Sequence, residues 1–269
     1  MSAPVLDKRL GQHHLVDGAL CRPLTDFLAP RGEVVVEIGP GGGVLTAQLL
    51  AAGAARVLAW ELDLGWAAEL RRRLPDARLA VVAGDALDLD WRRLAGGRRH
   101  RLAAGNLPFN VATALIERLL TGAAGAPGLP RAAFLVQKEV ADRMVARPGD
   151  PAYGGLSVLV TAYATARLLG RVRPGSFRPP PKVDSAFVGL TLHPPPLPPP
   201  EMPAFLATVR AAFAQRRKTL RNALTAAWGR TAAEQALARA RIPTTARAQE
   251  LTLAEFLALH RAPRMTRDR

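Results

Sequence analysis

Four consecutive residues, Asn106-Leu107-Pro108-Phe109, carry the groups needed to hold a weakly nucleophilic amine in position for attack. The Asn106 side-chain oxygen and the Leu107 carbonyl can accept hydrogen bonds from an exocyclic amine, which offsets the positive charge that develops on its nitrogen. Pro108 stiffens the backbone and favours extended geometry at Leu107. The ring of Phe109 can stack on a base that has left its helix. These residues therefore predict a site where positioning provides most of the catalysis.

A glycine-rich loop predicts a site for a nucleotide-like ligand. Glu37-Ile38-Gly39-Pro40-Gly41-Gly42-Gly43 follows an apolar run, and glycine allows sharp turns and close approach of a ligand to backbone amides. A dinucleotide-binding loop would need a third glycine at Val44. The acidic form present here resembles motif I of S-adenosylmethionine-dependent methyltransferases, because a carboxylate suits a positively charged amino acid group. We assign Gly39 and Gly41 to that cofactor; an ordinary tight turn is the alternative.

Two further carboxylates are expected at the same edge of the sheet. Glu61 ends the second predicted strand, 22 residues after Gly39, where a Rossmann-type sheet places the acid that binds ribose hydroxyls. Asp85 follows the third predicted strand and can accept a hydrogen bond from an adenine amino group. Glu61 alone could be a solvated charge at a strand end. Because the carboxyl ends of parallel strands share one ligand-binding edge, we assign both acids to the cofactor.

The elements that must position these residues are strands and helices in alternation. Short runs of Val, Ile, Leu and Ala alternate with amphipathic stretches, as is typical of parallel strands covered by helices on both faces. The sequence therefore predicts an α/β fold with a doubly wound, Rossmann-like sheet of seven strands. The predicted strands are 34–38, 57–61, 79–83, 102–105, 133–137, 165–172 and 186–192, and the predicted helices include 45–52, 67–74, 112–120 and 138–145.

A proline-rich segment divides the chain. Pro194-Pro195-Pro196-Leu197-Pro198-Pro199-Pro200 cannot continue a helix or a strand, because proline lacks the amide donor and fixes φ. We predict a cofactor-binding catalytic domain over 1–193, a linker over 194–200 and a helical domain over 201–269. Helices of the last domain are expected at 202–228, 231–240 and 252–260.

The chain is strongly basic, most of all in its last third. It has 37 Lys+Arg against 22 Asp+Glu, a net charge of +15, and residues 191–269 hold 13 against 5, or +8. Such a field attracts polyanions, which makes nucleic acid the leading partner and an anionic membrane surface the second. Only four of the basic residues are lysine. A coding bias toward arginine is therefore the alternative explanation of the charge.

Composition narrows the protein class. A hydrophobic fraction of 49% with 22% charged residues is typical of a folded globular protein. One cysteine, Cys21, excludes an intramolecular disulfide, and five scattered histidines make a cysteine/histidine metal cage unexpected. The start of the chain lacks the apolar core of a signal peptide, and no apolar run reaches the length of a membrane span. We expect a monomer in the reducing cytoplasm, without membrane or metal.

The basic segment Gln215-Arg216-Arg217-Lys218-Thr219-Leu220-Arg221 is expected to lie on a helix. Helical spacing would place Arg217 and Arg221 one turn apart with Lys218 beside them. Together with Arg216, these residues would form a ridge that binds nucleic-acid phosphates, while the pocket selects the base. A solvated helix face is the alternative.

Several strings resemble the rRNA adenine N6-dimethyltransferase family that acts on the small ribosomal subunit. Residues 106–109 fit the [DNSH]-x-P-[YFW] pattern of amino-methyltransferases, and the match follows the family's order over roughly residues 8–225. The strings are Leu10-Gly11-Gln12, Asn106-Leu107-Pro108-Phe109-Asn110, Val136-Gln137-Lys138-Glu139-Val140-Ala141, Tyr153-Gly154-Gly155-Leu156-Ser157-Val158, Phe177-Arg178-Pro179-Pro180-Pro181-Lys182-Val183-Asp184-Ser185 and Phe213-Ala214-Gln215-Arg216-Arg217-Lys218-Thr219-Leu220-Arg221-Asn222.

The resemblance implies a class I methyltransferase fold. It implies dimethylation of adenine N6 on two adjacent adenosines near the 3′ end of small-subunit rRNA, in free rRNA or an immature subunit, as part of ribosome biogenesis. The target base would lie between Phe109 and Phe177. The cofactor contacts that it implies are His13, Leu15, Gly39, Glu61, Asp85 and Asn106. One departure is His13-His14, where the family has Asn-Phe, and it affects the packing of that segment.

Three alternatives remain at this stage. A macrolide-resistance-type enzyme would methylate an adenine of large-subunit rRNA with the same pocket, but its helical domain differs from residues 216–222. A non-catalytic RNA-binding or assembly factor would keep the fold, which the intact Asn106, Pro108 and Phe109 disfavour. A nicotinamide oxidoreductase is disfavoured by Val44 in the glycine loop.

Overall fold

The computed structural model describes residues 13–96, 101–123, 126, 128–215 and 217–262. The chain forms two compact units, which we describe separately. Unit 1 comprises Met1–Ala141 and Tyr163–Pro194, and unit 2 comprises Asp142–Ala162 and Pro195–Arg269.

Nine strands lie among the described residues of unit 1. In chain order they are β1 His14–Leu15, β2 Val34–Ile38, β3 Arg56–Glu61, β4 Leu79–Ala83, β5 Arg101–Asn106, β6 Arg131–Gln137, β7 Ala164–Val172, β8 Phe177–Arg178 and β9 Ser185–Leu192. Seven of them form one sheet in the order β4-β3-β2-β5-β6-β9-β7, and β1 pairs with β8 as a separate antiparallel ribbon. All seven predicted strands of the large sheet are confirmed within two residues at each end.

The large sheet is mixed rather than fully parallel. Strands β2 to β6 pair in parallel, whereas β9 runs antiparallel to both β6 and β7. The connection from β7 to β9 contains only a short 3₁₀ turn and β8. A connection without a crossover helix favours antiparallel pairing, which explains the direction of the last strand.

Eleven helices lie in the described ranges. They are α1 Arg22–Leu28, α2 Val44–Ala51, α3 Leu64–Arg73, α4 Trp91–Ala95, α5 Ala112–Gly122, α6 Lys138–Val145, α7 Gly155–Tyr163, α8 Met202–Phe213, α9 Leu220–Trp228, α10 Arg230–Arg239 and α11 Leu253–Arg261. None of these helices is long and apolar enough to cross a bilayer.

The core of unit 1 explains why its central strands lack an alternating pattern. Val35, Leu102 and Leu135 are fully buried, as are Leu24 and Leu49 from the covering helices α1 and α2. Strands that are covered on both faces bury every side chain, so they read as continuous apolar runs. This packing fixes the carboxyl ends of β2, β3 and β5 next to one another.

Unit 2 corrects the predicted helix over 202–228. Helix α8 ends at Phe213 and α9 begins at Leu220, with Thr219 as an extended N-cap whose hydroxyl accepts a hydrogen bond from Asn222 N. We call the intervening residues 214–219 the basic turn; its Arg216 lies outside the described residues. Thr219 is a favoured N-cap residue, and its cap starts a new helix where apolar spacing suggested continuity.

The predicted domain division also needs one correction, because residues 142–162 belong to unit 2. Within that unit, the Tyr153 hydroxyl donates a hydrogen bond to Leu251 O at 2.8 Å, and Gly149 N donates to Gln249 O at 2.8 Å. The Tyr153 ring also lies 6.1 Å from that of Phe213. These contacts join residues far apart in the sequence, so a boundary set by prolines could not include them.

Candidate active site

A cavity in unit 1 brings together most of the predicted site residues. The cavity has a volume of about 120 Å³ and lies at the carboxyl ends of the parallel strands. The predicted residues that line it are His13, Gly39, Gly41, Glu61, Asp85, Asn106, Leu107, Pro108 and Phe109. The fold therefore brings these residues together at one cavity, although their individual roles remain predictions.

Glu61 organises the glycine loop. Its Oε2 accepts a hydrogen bond from Gly41 N at 2.9 Å, and its Oε1 accepts one from Asp63 N at 3.0 Å. Burial raises the pKa of Glu61, while these backbone donors oppose the rise. Each oxygen keeps a lone pair for a further donor, so the carboxylate can hold the loop and bind hydroxyl groups together.

The loop itself needs glycine at specific points. Gly39, Gly41 and Gly43 have positive φ values of 64°, 51° and 81°. A Cβ on Gly41 would lie 2.5 Å from the Nε2 atom of His14, and a Cβ on Gly43 would lie 2.5 Å from Leu70. The loop is therefore closely packed on its outer side, which leaves its inner side to a ligand.

Asp85 lies at the far end of the cavity. It is the N-cap of a short 3₁₀ turn, and its Oδ1 accepts a hydrogen bond from Leu87 N at 2.8 Å. This bond fixes the carboxylate while its second oxygen is free to accept a hydrogen bond from a ligand. The arrangement fits the predicted contact with an adenine amino group.

Residues 106–109, which we call the Asn-Pro corner, follow directly from β5. Asn106 Nδ2 donates a hydrogen bond to the carbonyl oxygen of His13 at 2.7 Å, and Leu107 N donates to Leu135 O at 3.0 Å. A carbonyl only accepts, so the amide nitrogen of Asn106 is committed to His13. Its Oδ1 is then the atom that can accept from a target amine, as the predicted chemistry requires.

His13 and Phe109 form one wall of the cavity. Their ring centroids are 5.1 Å apart with an interplanar angle of 32°. The Nδ1 atom of His13 lies 2.8 Å from Pro179 O and must donate to it. Because Phe109 is only partly buried and lines the cavity, its ring is placed to stack on a base.

His14 shows how this chain accommodates its departure from the family string. Its ring meets Trp66 edge-on with centroids 4.5 Å apart, and it covers Gly41 from outside. Burial lowers the pKa of His14 from 6.5 to about 4, with a smaller contribution from His13, while Asp63 opposes the shift. His14 is therefore neutral at pH 7 and packs as an aromatic ring.

The buried carboxyl group of Glu37 bears on whether the site fits the predicted cofactor. Glu37 is 1% exposed, and neither of its oxygens has a hydrogen-bond partner among the described residues. It lines a small side cavity of about 20 Å³ together with Gly39, Gly42 and Asn106. A buried carboxylate without a partner is costly, and an ammonium group would relieve that cost. The donor set therefore fits S-adenosylmethionine.

Two predicted contacts lie elsewhere. Phe177 is fully buried in the core of unit 1, where β8 pairs it with Leu15 of β1. Phe177 has no exposed face and does not line the cavity with Phe109, so its stacking on the target base stays a prediction. Leu15 is 5% exposed and lines only the side cavity next to Glu37.

The described basic residues that were predicted to bind rRNA, which exclude Arg216, form no helical ridge. Arg217 and Lys218 are exposed on the basic turn, and no acidic group lies within 4 Å of either among the described residues. Arg221 lies on α9 with its guanidinium 3.9 Å from Glu234, a carboxylate shared with Arg230. The prediction of a continuous helix through these residues is wrong because Thr219 begins α9.

Several lining residues carried no clear signal in the sequence. Trp60, Leu62 and Leu87 provide apolar surface around the cavity. Gly105 is also required, since a Cβ there would lie 2.7 Å from Ile38 O in the neighbouring strand. The position of Trp60, directly before Glu61 at a strand end, was the one available indication.

Comparison with solved structures defines the class. A dimethyladenosine transferase from Plasmodium falciparum superposes with a TM-score of 0.73 at 24% identity, covering 92% of this chain and 96% of that one. The 23S rRNA methyltransferase ErmE gives a TM-score of 0.66 at 25% identity, covering 91% and 97%. The fold is that of the class I methyltransferases, as predicted.

Sequence comparison then defines the family. The chain matches ribosomal RNA adenine dimethylase over residues 6–262 and belongs to that family. It is 44% identical over 227 residues to ribosomal RNA small subunit methyltransferase A of Acidithiobacillus ferrooxidans, covering 82% of each chain. It is 42% identical over 256 residues to the protein of the same name from Methylococcus capsulatus, covering 94% of this chain and 96% of that one.

Proposed function

We propose that the chain transfers methyl groups from S-adenosylmethionine to N6 of two adjacent adenosines near the 3′ end of small-subunit rRNA. As a member of its family, it is an rRNA adenine dimethyltransferase. The names of its relatives support the choice of the small subunit. The observation that carries the proposal is the convergence of Glu61, Asp85 and the Asn-Pro corner on one cavity.

The donor-binding residues hold the cofactor along its length. S-adenosylmethionine supplies an electrophilic methyl group on a sulfonium. Glu61, already fixed by Gly41 N, is placed to bind ribose hydroxyls, and the second oxygen of Asp85 is placed to accept from the adenine amine. Glu37 supplies the buried negative charge for the ammonium group. These contacts restrict the donor to one orientation, which lowers the entropic cost of reaching the transition state.

The Asn-Pro corner holds the acceptor. Asn106 Oδ1 and the Leu107 carbonyl accept hydrogen bonds from the target amine, and Phe109 stacks on its base. These acceptors stabilise the positive charge that develops on the nitrogen, which favours the transition state over the ground state. The exposed Arg217 and Lys218 are suited to phosphate contacts that position the rRNA without reading its sequence.

The setting of this reaction follows from its substrate. We place it in the cytoplasm during ribosome biogenesis, with free small-subunit rRNA or an immature small subunit as the partner. We expect the chain to act as a monomer, since one chain supplies both the donor contacts that line this cavity and the Asn-Pro corner.

The decisive experiment incubates the purified chain with radiolabelled S-adenosylmethionine and either small or large ribosomal subunits that lack the modification. We expect label only in small-subunit rRNA, with N6,N6-dimethyladenosine at two adjacent positions near its 3′ end. Label in the large subunit would favour the macrolide-resistance-type alternative. Binding of subunits without any methyl transfer would favour the non-catalytic alternative.

A further inference from the structure

The most unusual buried group in unit 1 is the carboxyl of Glu37. It lies in β2, between β3 and β5, opposite Ala59 and Ala104. Charged side chains are rarely buried completely unless they are paired. Glu61, the other buried acid, follows this rule because each of its oxygens accepts a backbone hydrogen bond.

Glu37 departs from the rule. Neither of its oxygens has a hydrogen-bond partner, and no cation lies within 4 Å of it among the described residues. Burial raises the pKa of Glu37 to about 8; Thr46 opposes the rise, and Glu61 adds to it. The Thr46 hydroxyl approaches the carboxyl without meeting hydrogen-bond geometry. Glu37 is therefore mostly protonated at pH 7.

The neighbouring titratable groups provide no compensating charge. Glu61 on β3 is acidic and repels a charge on Glu37. The Cys21 thiol is neutral, because burial raises its pKa to about 12, and Glu37 contributes to that rise. His14 of β1 lines the same side cavity and stays neutral above pH 4. Among the described residues no positive charge lies against Glu37, and a cationic ligand can supply one.

We propose that donor binding removes a proton from Glu37, so that the affinity for the donor is coupled to pH. This inference rests on the proposed cofactor, whose α-ammonium group is the cation that the side cavity beside the glycine loop lacks. In the free protein the carboxyl is neutral, and an adjacent ammonium stabilises its ionised form. The departing proton passes to the solvent.

The sign of the pH dependence follows from this exchange. Below pH 8 the free protein carries a proton on Glu37 that the complex does not, so binding releases about one proton and affinity rises with pH. Between pH 6 and pH 7 we expect affinity to increase about tenfold. The increase ends near pH 8, because an α-amino group itself loses its proton at about that pH.

Isothermal titration calorimetry measures the proton directly. The protein is titrated at pH 7 with S-adenosylhomocysteine, which carries the same amino acid group, in phosphate and in Tris buffers. The difference in binding enthalpy between buffers of different ionisation enthalpy gives the number of protons released. We expect about one proton per ligand, and a buffer-independent enthalpy would overturn the inference.

Two controls assign the proton to Glu37. Glu37→Gln keeps the shape of the side chain but cannot titrate, so proton release should disappear and affinity should be constant between pH 6 and pH 7. Glu33→Gln removes an acid just before the start of the same strand and should leave the release unchanged. If Glu37→Gln still releases the proton, Glu37 is not its source and the inference fails.

A second ligand separates this inference from the proposed function. 5′-Methylthioadenosine lacks the amino acid group, so it should bind the parent protein and Glu37→Gln equally and without proton release, which also shows that the variant is folded. Proton-neutral binding of S-adenosylhomocysteine would overturn the coupling and leave the proposed function intact. Failure of the parent protein to bind S-adenosylhomocysteine would overturn both.

Discussion

Charged groups are held in opposite ways in the cavity of unit 1 and in the basic turn of unit 2. Glu61 is 4% exposed and each of its oxygens accepts a backbone hydrogen bond. Arg217 and Lys218 are exposed on a turn, without an acidic partner among the described residues. The cavity is preorganised for a small ligand of fixed shape, whereas the turn can adapt to a phosphate backbone.

This contrast between the cavity and the basic turn indicates which features need a rigid framework. A methyl group is transferred in line over a short distance, so small displacements of Asn106 or Glu61 should reduce the rate strongly. Phosphate contacts act through longer-range electrostatics and tolerate movement of the side chains. We therefore expect substitutions in the cavity to have large, specific effects and substitutions in the basic turn to have smaller ones that depend on salt.

The largest effect is expected from the core that supports the cavity. Phe177→Ala removes a fully buried ring and should lower the free energy of unfolding by about 3–5 kcal/mol, measured by urea denaturation. Phe109→Ala is the matched control, because its ring lines the cavity and is only partly buried. It should lower methyl transfer while changing stability by less than about 1 kcal/mol. Equal destabilisation by the two changes would contradict their different placement.

The second-largest effect is expected at the Asn-Pro corner. Asn106→Ala removes the acceptor for the target amine and the hydrogen bond to His13 O. We expect kcat to fall about 10²- to 10³-fold, while binding of S-adenosylmethionine is weakened but still measurable. Single-turnover transfer of labelled methyl groups gives the rate. Asn222→Ala on α9 is the control for a remote asparagine, and unchanged turnover in Asn106→Ala would remove this residue from the mechanism.

His14 makes the framework of the cavity sensitive to acid. Its pKa is about 4 in the folded protein and 6.5 in a solvated histidine, so the unfolded chain binds the proton first as pH falls. The stability provided by neutral His14 is complete above pH 6.5 and decreases toward pH 4, by up to about 3 kcal/mol. Glu37 acts in the opposite direction, since its raised pKa favours the folded state at lower pH.

One variant separates the contribution of His14 to the pH dependence of stability from that of Glu37. His14→Phe keeps a ring against Trp66 but cannot be protonated, so the difference in unfolding free energy between parent and variant should change only between pH 6.5 and pH 4. Urea denaturation at several pH values measures it. A difference that is constant over this range would mean that His14 is solvated and not packed on Gly41.

Sequence patterns were most informative where strands fix the geometry. The parallel strands β2, β3 and β5 bring their carboxyl ends to one edge, so the spacing from Gly39 to Glu61 and to Asn106 was enough to predict a shared cavity. The α/β fold class was predicted from the alternation of apolar runs and amphipathic stretches, and the solved structures confirm it.

Two placements could not be predicted because they depend on contacts between residues far apart in the sequence. Phe177 is buried by pairing with Leu15, through a two-residue strand that has no periodic signal. Residues 142–162 join unit 2 through contacts such as Tyr153 with Leu251. The end of α8 was missed for a local reason, since residues 214–218 contain no glycine or proline and the only indication was Thr219 as an N-cap.

The smallest effect is expected at the basic turn. Arg217→Glu combined with Lys218→Glu should weaken binding to small-subunit rRNA about tenfold at moderate salt, and should reduce the slope of log K against log[salt] by about 1–2. Affinity for S-adenosylhomocysteine should not change. Arg221→Gln is the matched control, because its guanidinium already lies near Glu234, and it should have a smaller effect on both quantities.

If Arg221→Gln weakens rRNA binding as much as the double variant, the phosphate contacts lie along α9 and not on the turn. Filter binding at several salt concentrations distinguishes these outcomes, since it reports the number of phosphates neutralised and not only the affinity.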